Sequence, residues 1–312
     1  MTILVPKLAS ALRDTLSFDL KSNSFTLLER LFTWDEEVPS KDALCNFVRD
    51  TVHARRTSVS PRPDTDAALL NDLVSGITGS TSHFAPWAEP NRRNVILDGV
   101  RVRIPHAADT QVHEDGVLIQ VPKLRPRLTP GYAHVINVVS PSPIVGATRI
   151  YLSAEGVAQL TARWHAALSA LVRKRILFRA KFVTSPMALP RSDAIVFLSR
   201  DPRSVRAIVE AIRQDRQETM RTSLFGLEVA PGVALGVEPP LSIDGGPVSF
   251  GTSRSLPVAM WLLQGITAGL HPEIRDLSQK FEAHGIDPQQ TWVSLGAQSG
   301  DPLNNAINKG EP

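Results

Sequence analysis

The chain has 312 residues, 42% of them hydrophobic, which is enough apolar material for one large domain or two ordinary ones without disulfide staples. Its 34 lysines and arginines face 31 acidic residues, and this net charge of +3 does not by itself indicate a nucleic-acid binder. The single cysteine, Cys45, excludes an internal disulfide and a zinc site built from cysteines.

The amino-terminal residues 1–7 lack the charged start, apolar middle and small-residue cleavage site of a secretory signal. No apolar run in the sequence approaches the ~20 residues that cross a bilayer. Together with the lone cysteine, these features predict a cytoplasmic protein with neither a membrane nor a nucleic acid as partner.

Residues 1–78 carry helical periodicity and predict a helical amino-terminal subdomain. Two apolar faces recur at helical spacing: Leu8, Leu12 and Leu16, then Leu27, Leu28, Leu31 and Phe32. Ser40 and Asp64 are expected to cap helices, because their side chains can accept a hydrogen bond from the first turn. The Gly/Ser/Thr-rich residues 76–82 mark the boundary of the subdomain.

Residues 79–299 predict a second domain in which β-type runs neighbour helical patterns. The predicted strands cover residues 95–104, 116–121, 133–139, 149–152, 176–183 and 194–198, and the predicted helices cover residues 157–171, 202–213, 258–270 and 273–284. Hairpin-like neighbours among the strands favour an α+β fold, with a mixed, largely antiparallel sheet flanked by helices. The polar residues 300–312 predict a disordered tail.

The strand predicted around Lys181 places two cations on one face. Strand alternation puts Arg179, Lys181 and Val183 opposite the apolar side chains at 178, 180 and 182. This face is either an ordinary solvated surface or an anion site. In an anion site, partial removal from water would favour the neutral form of Lys181 and let it act as a base.

Tyr151 shares strand parity with Arg149 on the preceding predicted strand. A tyrosine there can simply pack with its hydroxyl hydrogen-bonded. Beside guanidinium groups, the phenol could instead give a proton to a leaving group.

Two further segments carry cations that could hold an anion. The run Lys123–Arg127 is kept extended by Pro126 and is either an ordinary basic loop or a site for phosphate or an acidic peptide. Residues 245–254 are bounded by glycines and enter a helix, where backbone N–H groups and Arg254 would make an anion site, although the Walker order of residues is absent. The sequence has neither a G-x-S-x-G elbow nor an H-E-x-x-H pair, and its eight histidines are scattered, so no metal is expected.

Five stretches of the sequence form one ordered pattern: residues 149–152, 178–186, 190–196, 230–235 and 249–251 followed by Arg254. This pattern resembles the HopA-type effector-like lyases, found as a bacterial type III effector and as stand-alone enzymes in class V lanthipeptide and thioamitide clusters. The matching stretches span about residues 94–268 in the right order, whereas the amino-terminal region matches only loosely.

The resemblance implies a carbon–oxygen lyase that removes phosphate from phosphoserine or phosphothreonine in a ribosomal precursor peptide, giving dehydroalanine or dehydrobutyrine. It places Lys181 as the base and Tyr151 where related effector lyases have a histidine that assists the leaving phosphate. The phosphate would be held by Arg149, Arg191 and Arg254, with Lys123 and Arg125 as further candidates, and the substrate would also contact Arg179, Tyr132 and Ser249. The elimination requires no metal or organic cofactor.

This chain departs from the family pattern at two positions. Leu227 stands in the strand before the Ala-Pro-Gly turn, where relatives often carry a lysine that contacts phosphate. Ser192 replaces a common cysteine, and we expect that to be a packing difference.

The resemblance also implies partners: the phosphorylated precursor peptide and a separate kinase with an aminoglycoside-phosphotransferase-like fold. Our own interpretation is that the helical amino-terminal region docks the kinase or the leader part of the peptide. Two alternatives remain at this point. One is a non-catalytic subunit that binds the peptide or the kinase through the same basic cleft. The other is a virulence effector acting on a host phosphoprotein.

Overall fold

The computed structural model describes residues 4–35, 38–56, 64–89, 94–97, 100–104, 111–129, 131–137, 147–213, 220–237, 239 and 249–295. The predicted tail at 300–312 and the glycines of the predicted anion segment at 245–246 lie outside the described residues. The described elements confirm the predicted α+β class.

Seven helices are described: α1 (Pro6–Thr15), α2 (Lys41–Val48), α3 (Ala67–Leu73), α4 (Val157–Arg173), α5 (Arg203–Ile212), α6 (Phe250–Ala268) and α7 (Ile274–Ala283). A π-helical turn, Arg49–His53, continues α2. The strands are β1 (Ser17–Asp19), β2 (Ser24–Leu27), β3 (Arg30–Thr33), β4 (Ser80–Pro86), β5 (Asn94–Leu97), β6 (Val100–Arg103), β7 (Gln111–Val112), β8 (Gly116–Pro122), β9 (Leu124–Thr129), β10 (Tyr132–Asn137), β11 (Thr148–Ala154), β12 (Phe178–Val183), β13 (Arg191–Ser199), β14 (Leu227–Ala230) and β15 (Val233–Val237).

A seven-stranded sheet forms the centre, in the order β14-β15-β11-β13-β12-β10-β9. Every described pairing within it is antiparallel. Smaller sheets are β1-β2-β3, β4-β8-β7 and the hairpin β5-β6. None of the described helices is both long and apolar enough to cross a membrane.

The central sheet separates two apolar cores. One core contains Phe178, Ala180 and Phe182 with side chains of α3, α4 and α5, as the alternation in β12 predicted. The other contains Tyr151 and Val196 with side chains of α1, α2, α6 and α7. The cation-bearing face of β12 therefore looks toward the helices of the amino-terminal and carboxy-terminal regions.

Part of the helical prediction for residues 1–78 was wrong. The residues that were read as a helix face at 27–32 form the hairpin β2-β3 instead. Leu28 and Glu29 adopt φ values of 49° and 67°, which close a tight turn and cannot belong to a right-handed helix. Ser40 caps α2 as predicted, by accepting a hydrogen bond from the Ala43 amide at 3.2 Å, whereas α3 is capped by Asp66 rather than Asp64.

The segment Lys123–Arg127 was predicted to be a loop, but β9 begins at Leu124. It is the outermost strand of the central sheet, paired with β10 alone. An edge strand tolerates Pro126 because one row of its amides needs no partner in the sheet. The basic segment is therefore attached rigidly to the sheet that carries Lys181.

Trp164 of α4 tests the first core. Its ring is fully buried, with its centroid 4.5 Å from that of Phe182, and its indole N–H donates to the Leu73 carbonyl at 2.6 Å. We expect Trp164→Ala to lower the free energy of unfolding by ~3–5 kcal/mol in urea titrations, because it leaves a cavity. Val172→Ala on the same helix is the control: Val172 is 55% exposed, so a comparable loss there would contradict this account.

Candidate active site

Lys181 and Tyr151 lie in one row across the central sheet. Lys181 on β12 is opposite Val196 on β13, and Val196 is opposite Tyr151 on β11. Directly opposite residues in antiparallel strands point to the same face, and strands lie ~4.8 Å apart, so about 10 Å separates the Lys181 and Tyr151 backbones. Lys181 is half-buried and Tyr151 is buried.

A second row runs parallel to the first. Arg179 on β12 is opposite Leu198 on β13, which is opposite Arg149 on β11. The backbone positions of these four residues, Lys181, Tyr151, Arg179 and Arg149, therefore form the corners of a rectangle. Its floor is the apolar pair on β13 between them. The register agrees with the shared faces predicted for Arg179 with Lys181 and for Arg149 with Tyr151. Val183 was predicted to share the Lys181 face, but it is buried in the core that contains Phe178, Ala180 and Phe182.

Arg125 extends the Lys181 row toward the sheet edge. His134 on β10 is opposite both Lys181 and Arg125. Burial lowers the pKa of His134 to about 4, and the cations Lys181, Arg125 and Arg179 add to that shift. The imidazole is therefore neutral at pH 7, with its Nε2 3.0 Å from the Thr129 hydroxyl. At this edge of the site, Arg125 therefore adds a positive charge, whereas the neutral His134 adds no charge.

The ring of Tyr132 brings Lys181 and Arg191 together. Lys181 Nζ lies 4.5 Å from the ring centroid and Arg191 Cζ lies 5.2 Å from it, both within cation–π range. The Tyr132 hydroxyl donates to Asp193 Oδ2 at 3.3 Å. Burial raises the pKa of Tyr132 above its ordinary value, so this phenol keeps its proton.

Asp193 is the acid at the centre of this cluster. Its Oδ1 accepts from Arg191 Nε at 2.6 Å, and both side chains are about nine-tenths buried. Burial by itself raises the pKa of Asp193, but Arg191, His53 and Lys181 together hold it well below its usual range. No acidic residue is adjacent to Lys181 in the sequence, but Asp193 on the neighbouring strand β13 lies near it in the fold.

His53 completes the cluster and was missed in the sequence. Its Nδ1 lies 2.8 Å from the Ser223 hydroxyl, its Nε2 lies 3.9 Å from Asp193 Oδ2, and its ring meets the Tyr151 ring edge-on at 5.1 Å. Burial lowers the pKa of His53 to about 4, with Lys181 contributing, so the ring is neutral at pH 7. No sequence signal separated it from an ordinary core histidine.

Ser192 fixes the π-helical turn that carries His53. The Ser192 hydroxyl donates to the His53 carbonyl, and the Ser192 amide donates to the Ala54 carbonyl at 2.8 Å. The expectation of a mere packing difference at this position was therefore wrong, because a cysteine thiol is a much weaker donor. This pair of hydrogen bonds joins β13 to the amino-terminal region.

Arg254 and Ser249 border the site from α6. Arg254 is buried, donates from Nε to the Thr291 carbonyl at 3.0 Å, and stacks 4.5 Å from the Phe250 ring. That ring lies 5.4 Å from the Tyr151 ring. Ser249 is exposed and caps α6, accepting from the Thr252 amide at 3.1 Å.

The remaining predicted contacts lie at the margins of the sheet. Lys123 is half-buried just before β9, and its carbonyl accepts from the Ile136 amide at 2.9 Å. Leu227 lies on β14 opposite Leu235, and both pack into the core on the far side of the sheet. The side chain at 227 therefore does not face the rectangle. The described residues contain no group of three or more His, Cys, Asp or Glu that could hold a metal ion.

Comparison with known proteins places these residues in a family. The sequence profile of the HopA1 effector protein family matches residues 123–292, more than half of the chain. The chain belongs to this family. The matched region, residues 123–292, contains Lys181, Tyr151, Arg191 and Asp193. His53 lies outside it.

Two solved structures of effector proteins are also similar to this chain. The effector protein from Pseudomonas syringae pv. tomato strain DC3000 has 11% sequence identity and a TM-score of 0.44, covering 82% of this chain and 90% of that chain. The effector protein from Pseudomonas syringae pv. syringae strain 61 has 11% identity and a TM-score of 0.42, covering 81% and 95%. A search of the curated proteins found no match.

The low pKa of His53 predicts acid sensitivity. A histidine near 6.5 when unfolded and about 4 when folded stabilises the fold fully above ~6.5, and this contribution is lost as the pH falls toward 4. We expect the free energy of unfolding to fall by up to ~1.4 kcal/mol per pH unit in that window from His53 alone. Urea titrations between pH 7.5 and 4.5 measure the slope.

The matched variants are His53→Gln and His284→Asn. His53→Gln should flatten part of the slope, whereas His284 is exposed and its substitution should leave the slope as it is. Equal slopes in the wild type and in His53→Gln would contradict a neutral buried imidazole. Asp193 does not contribute to the slope between pH 6.5 and 4, because the stability that its ionised form provides is lost only as the pH falls below ~3.9.

Proposed function

We propose that this HopA1-family protein is a phosphoserine/phosphothreonine lyase acting on a phosphorylated ribosomal precursor peptide. The observation that carries the proposal is that Lys181 shares a sheet face with Arg179 and Arg149 and, through the Tyr132 ring, lies near Arg191. A cluster with this excess of positive charge favours an anion, and a lysine within it is in position to remove a proton beside that anion.

The reaction is a β-elimination. Neutral Lys181 takes the α proton of the phosphorylated residue, and the electron pair of that C–H bond forms the Cα=Cβ double bond. The Cβ–O bond breaks, and its electron pair leaves with the phosphate. Phosphoserine gives dehydroalanine, and phosphothreonine gives dehydrobutyrine.

The arginines divide the negative charge that develops. Arg149 and Arg191 are proposed to bind the phosphate, since guanidinium groups match phosphoryl oxygens with paired hydrogen bonds. Arg179, the next residue on the same face of β12 as Lys181, is proposed to stabilise the partial negative charge that develops on the amide carbonyl oxygen as the α proton leaves.

Tyr151 is the proposed proton donor to the leaving phosphate. It lies on the same sheet face as Lys181, with Val196 between them. In the proposed complex, the phosphorylated substrate residue binds between the two side chains, with its α proton toward Lys181 and its phosphate toward Tyr151. The edge-on contact with His53 and the contact with Phe250 fix the orientation of the phenol ring. His53 is assigned a positioning role, because its pKa of about 4 leaves the imidazole neutral at pH 7, and a neutral imidazole is a very weak acid.

The proposed substrate implies an earlier phosphorylation step. We assign that step to a separate kinase with an aminoglycoside-phosphotransferase-like fold, as the resemblance to the HopA-type effector-like lyases implies. The amino-terminal region is the proposed docking surface for the kinase or for the leader part of the peptide.

A non-catalytic peptide-binding subunit is the competing function. It is favoured by Leu227, an apolar residue packed on the far side of the sheet where relatives place a phosphate-binding lysine. A third possibility, an effector that acts on a host phosphoprotein, uses the same chemistry on a folded substrate. Mass spectrometry separates the three functions. Loss of phosphoric acid from a peptide supports the peptide lyase, loss from a folded phosphoprotein supports the effector, and no loss from either supports the binding subunit.

Lys181→Met tests the base directly. We expect the wild type to remove phosphoric acid from a phosphothreonine peptide, and the variant to lose this activity by a factor of at least ~10³ while still binding the peptide. Lys174→Met is the control, because Lys174 lies at the end of α4 in an exposed pair with Glu210. Peptide binding without loss of mass by the wild type would establish the binding subunit instead.

Two substitutions at Tyr132 distinguish the contribution of its ring contacts from that of its hydrogen bond to Asp193. Tyr132→Phe keeps the ring beneath Lys181 and Arg191 but loses the bond to Asp193, so we expect only a few-fold loss of elimination rate. Tyr132→Leu removes the ring itself, and a loss of ~10-fold or more is expected from misplaced cations. Equal effects of both variants in single-turnover assays would show that the ring does not position Lys181.

A further inference from the structure

A second basic pocket lies beside the candidate active site, and nothing in the proposed elimination uses it. We call it the arginine pocket; it is lined by Arg30, Arg55, Arg56 and Arg221 with Thr51 and Glu29. Its volume is about 90 Å³. Since a cavity of ~10–15 Å³ on the same measure holds one water molecule, the pocket has room for a carboxylate or phosphate group.

Two of its arginines are held in place by the protein. Arg30 donates from Nη1 to the Thr51 hydroxyl at 3.0 Å and packs 5.2 Å from the Phe47 ring. Arg56 Nη1 lies 3.4 Å from Asp50 Oδ2. The other terminal nitrogen of Arg56, Nη2, is buried, and no described residue accepts a hydrogen bond from it. A buried guanidinium N–H of this kind calls for an acceptor.

The charges around the pocket do not balance. Burial lowers the pKa of Arg55, and the neighbouring Arg221 lowers it further, while Glu29 opposes the shift. Burial likewise lowers the pKa of Arg30, with Asp50 opposing and Arg56 adding to it. Four guanidinium groups thus face two carboxylates, and an incoming anion would relieve the mutual repulsion.

The pocket and the candidate site share a wall. The π-helical turn carries Thr51 in the pocket and His53 in the site. On the opposite side, Arg221 lines the pocket two residues before Ser223, which hydrogen-bonds to His53. Asp50 between them influences both Arg56 and Arg191.

We propose that the arginine pocket binds a second oxyanion of the same peptide, a side-chain carboxylate or phosphate flanking the residue that undergoes elimination. This inference rests on the proposed function for the identity of its ligand. It makes the protein selective for peptides with an acidic or second phosphorylated residue near the reacting one.

The test measures binding in a Lys181→Met background, so that no elimination occurs. Fluorescence anisotropy compares peptides with one phosphothreonine and one variable flanking position that holds Glu, phosphoserine or Gln. We expect Glu or phosphoserine at one flanking position to tighten binding ~10-fold relative to Gln. The tighter of the two identifies the source of the oxyanion as carboxylate or phosphate.

The double variant Arg55→Gln/Arg221→Gln should bind the acidic and the Gln peptides almost equally, so that the ratio of their dissociation constants is close to one. These arginines are chosen because Arg30 and Arg56 also make contacts within the protein. The control, Arg203→Gln with Arg206→Gln, removes the same charge from exposed positions on α5 and should keep the preference. No preference at any position, or one that survives the Arg55/Arg221 substitutions, would overturn the proposal.

The two proposals fail separately. If the preference depends on Arg55 and Arg221 but the wild type removes no phosphate, the pocket stands and the lyase does not. If phosphate is eliminated without any preference, the lyase stands and the pocket does not.

Discussion

The ion pair between Asp193 and Arg191 is the interaction on which the candidate site depends. It sits about nine-tenths buried, and Asp193 also accepts a hydrogen bond from Tyr132, whose ring contacts both Lys181 and Arg191. Removing one partner of such a pair leaves an uncompensated buried charge, which costs about 3–5 kcal/mol. Asp193 therefore keeps the cations together at a place where they would otherwise repel one another.

The same pair explains why the amino-terminal region belongs to the site. Ser192, between the two charged residues in sequence, hydrogen-bonds to the π-helical turn at His53 and Ala54. His53 in turn lies against Tyr151 and near Asp193. A region that the sequence suggested as a docking surface thus contributes a wall to the cluster, and kinase or leader docking would take place next to the proposed chemistry.

The sequence predicted the parts of the site that depend on strand alternation alone. Arg179 shares a face with Lys181, and Arg149 with Tyr151, because the period of a strand is fixed. That the two faces coincide depends on the register of both strands with β13, which leaves no local sequence pattern. Asp193 was unassigned, because its position follows from a register shift: Leu152 pairs with Ile195, but Ala154 pairs with Arg191. His53 was missed because it depends on a π-helical turn and on contacts far along the chain, and neither leaves a local pattern.

The surplus of cations carries a consequence for stability. Arginines and a lysine fixed around a small apolar floor repel one another in the free protein, and this arrangement is the preorganisation that binding a phosphate requires. An anion that binds only the folded state stabilises it in proportion to the logarithm of its concentration over its dissociation constant. The candidate site and the arginine pocket are coupled electrostatically, because Asp50 is ion-paired with Arg56 and also stabilises the charged form of Arg191.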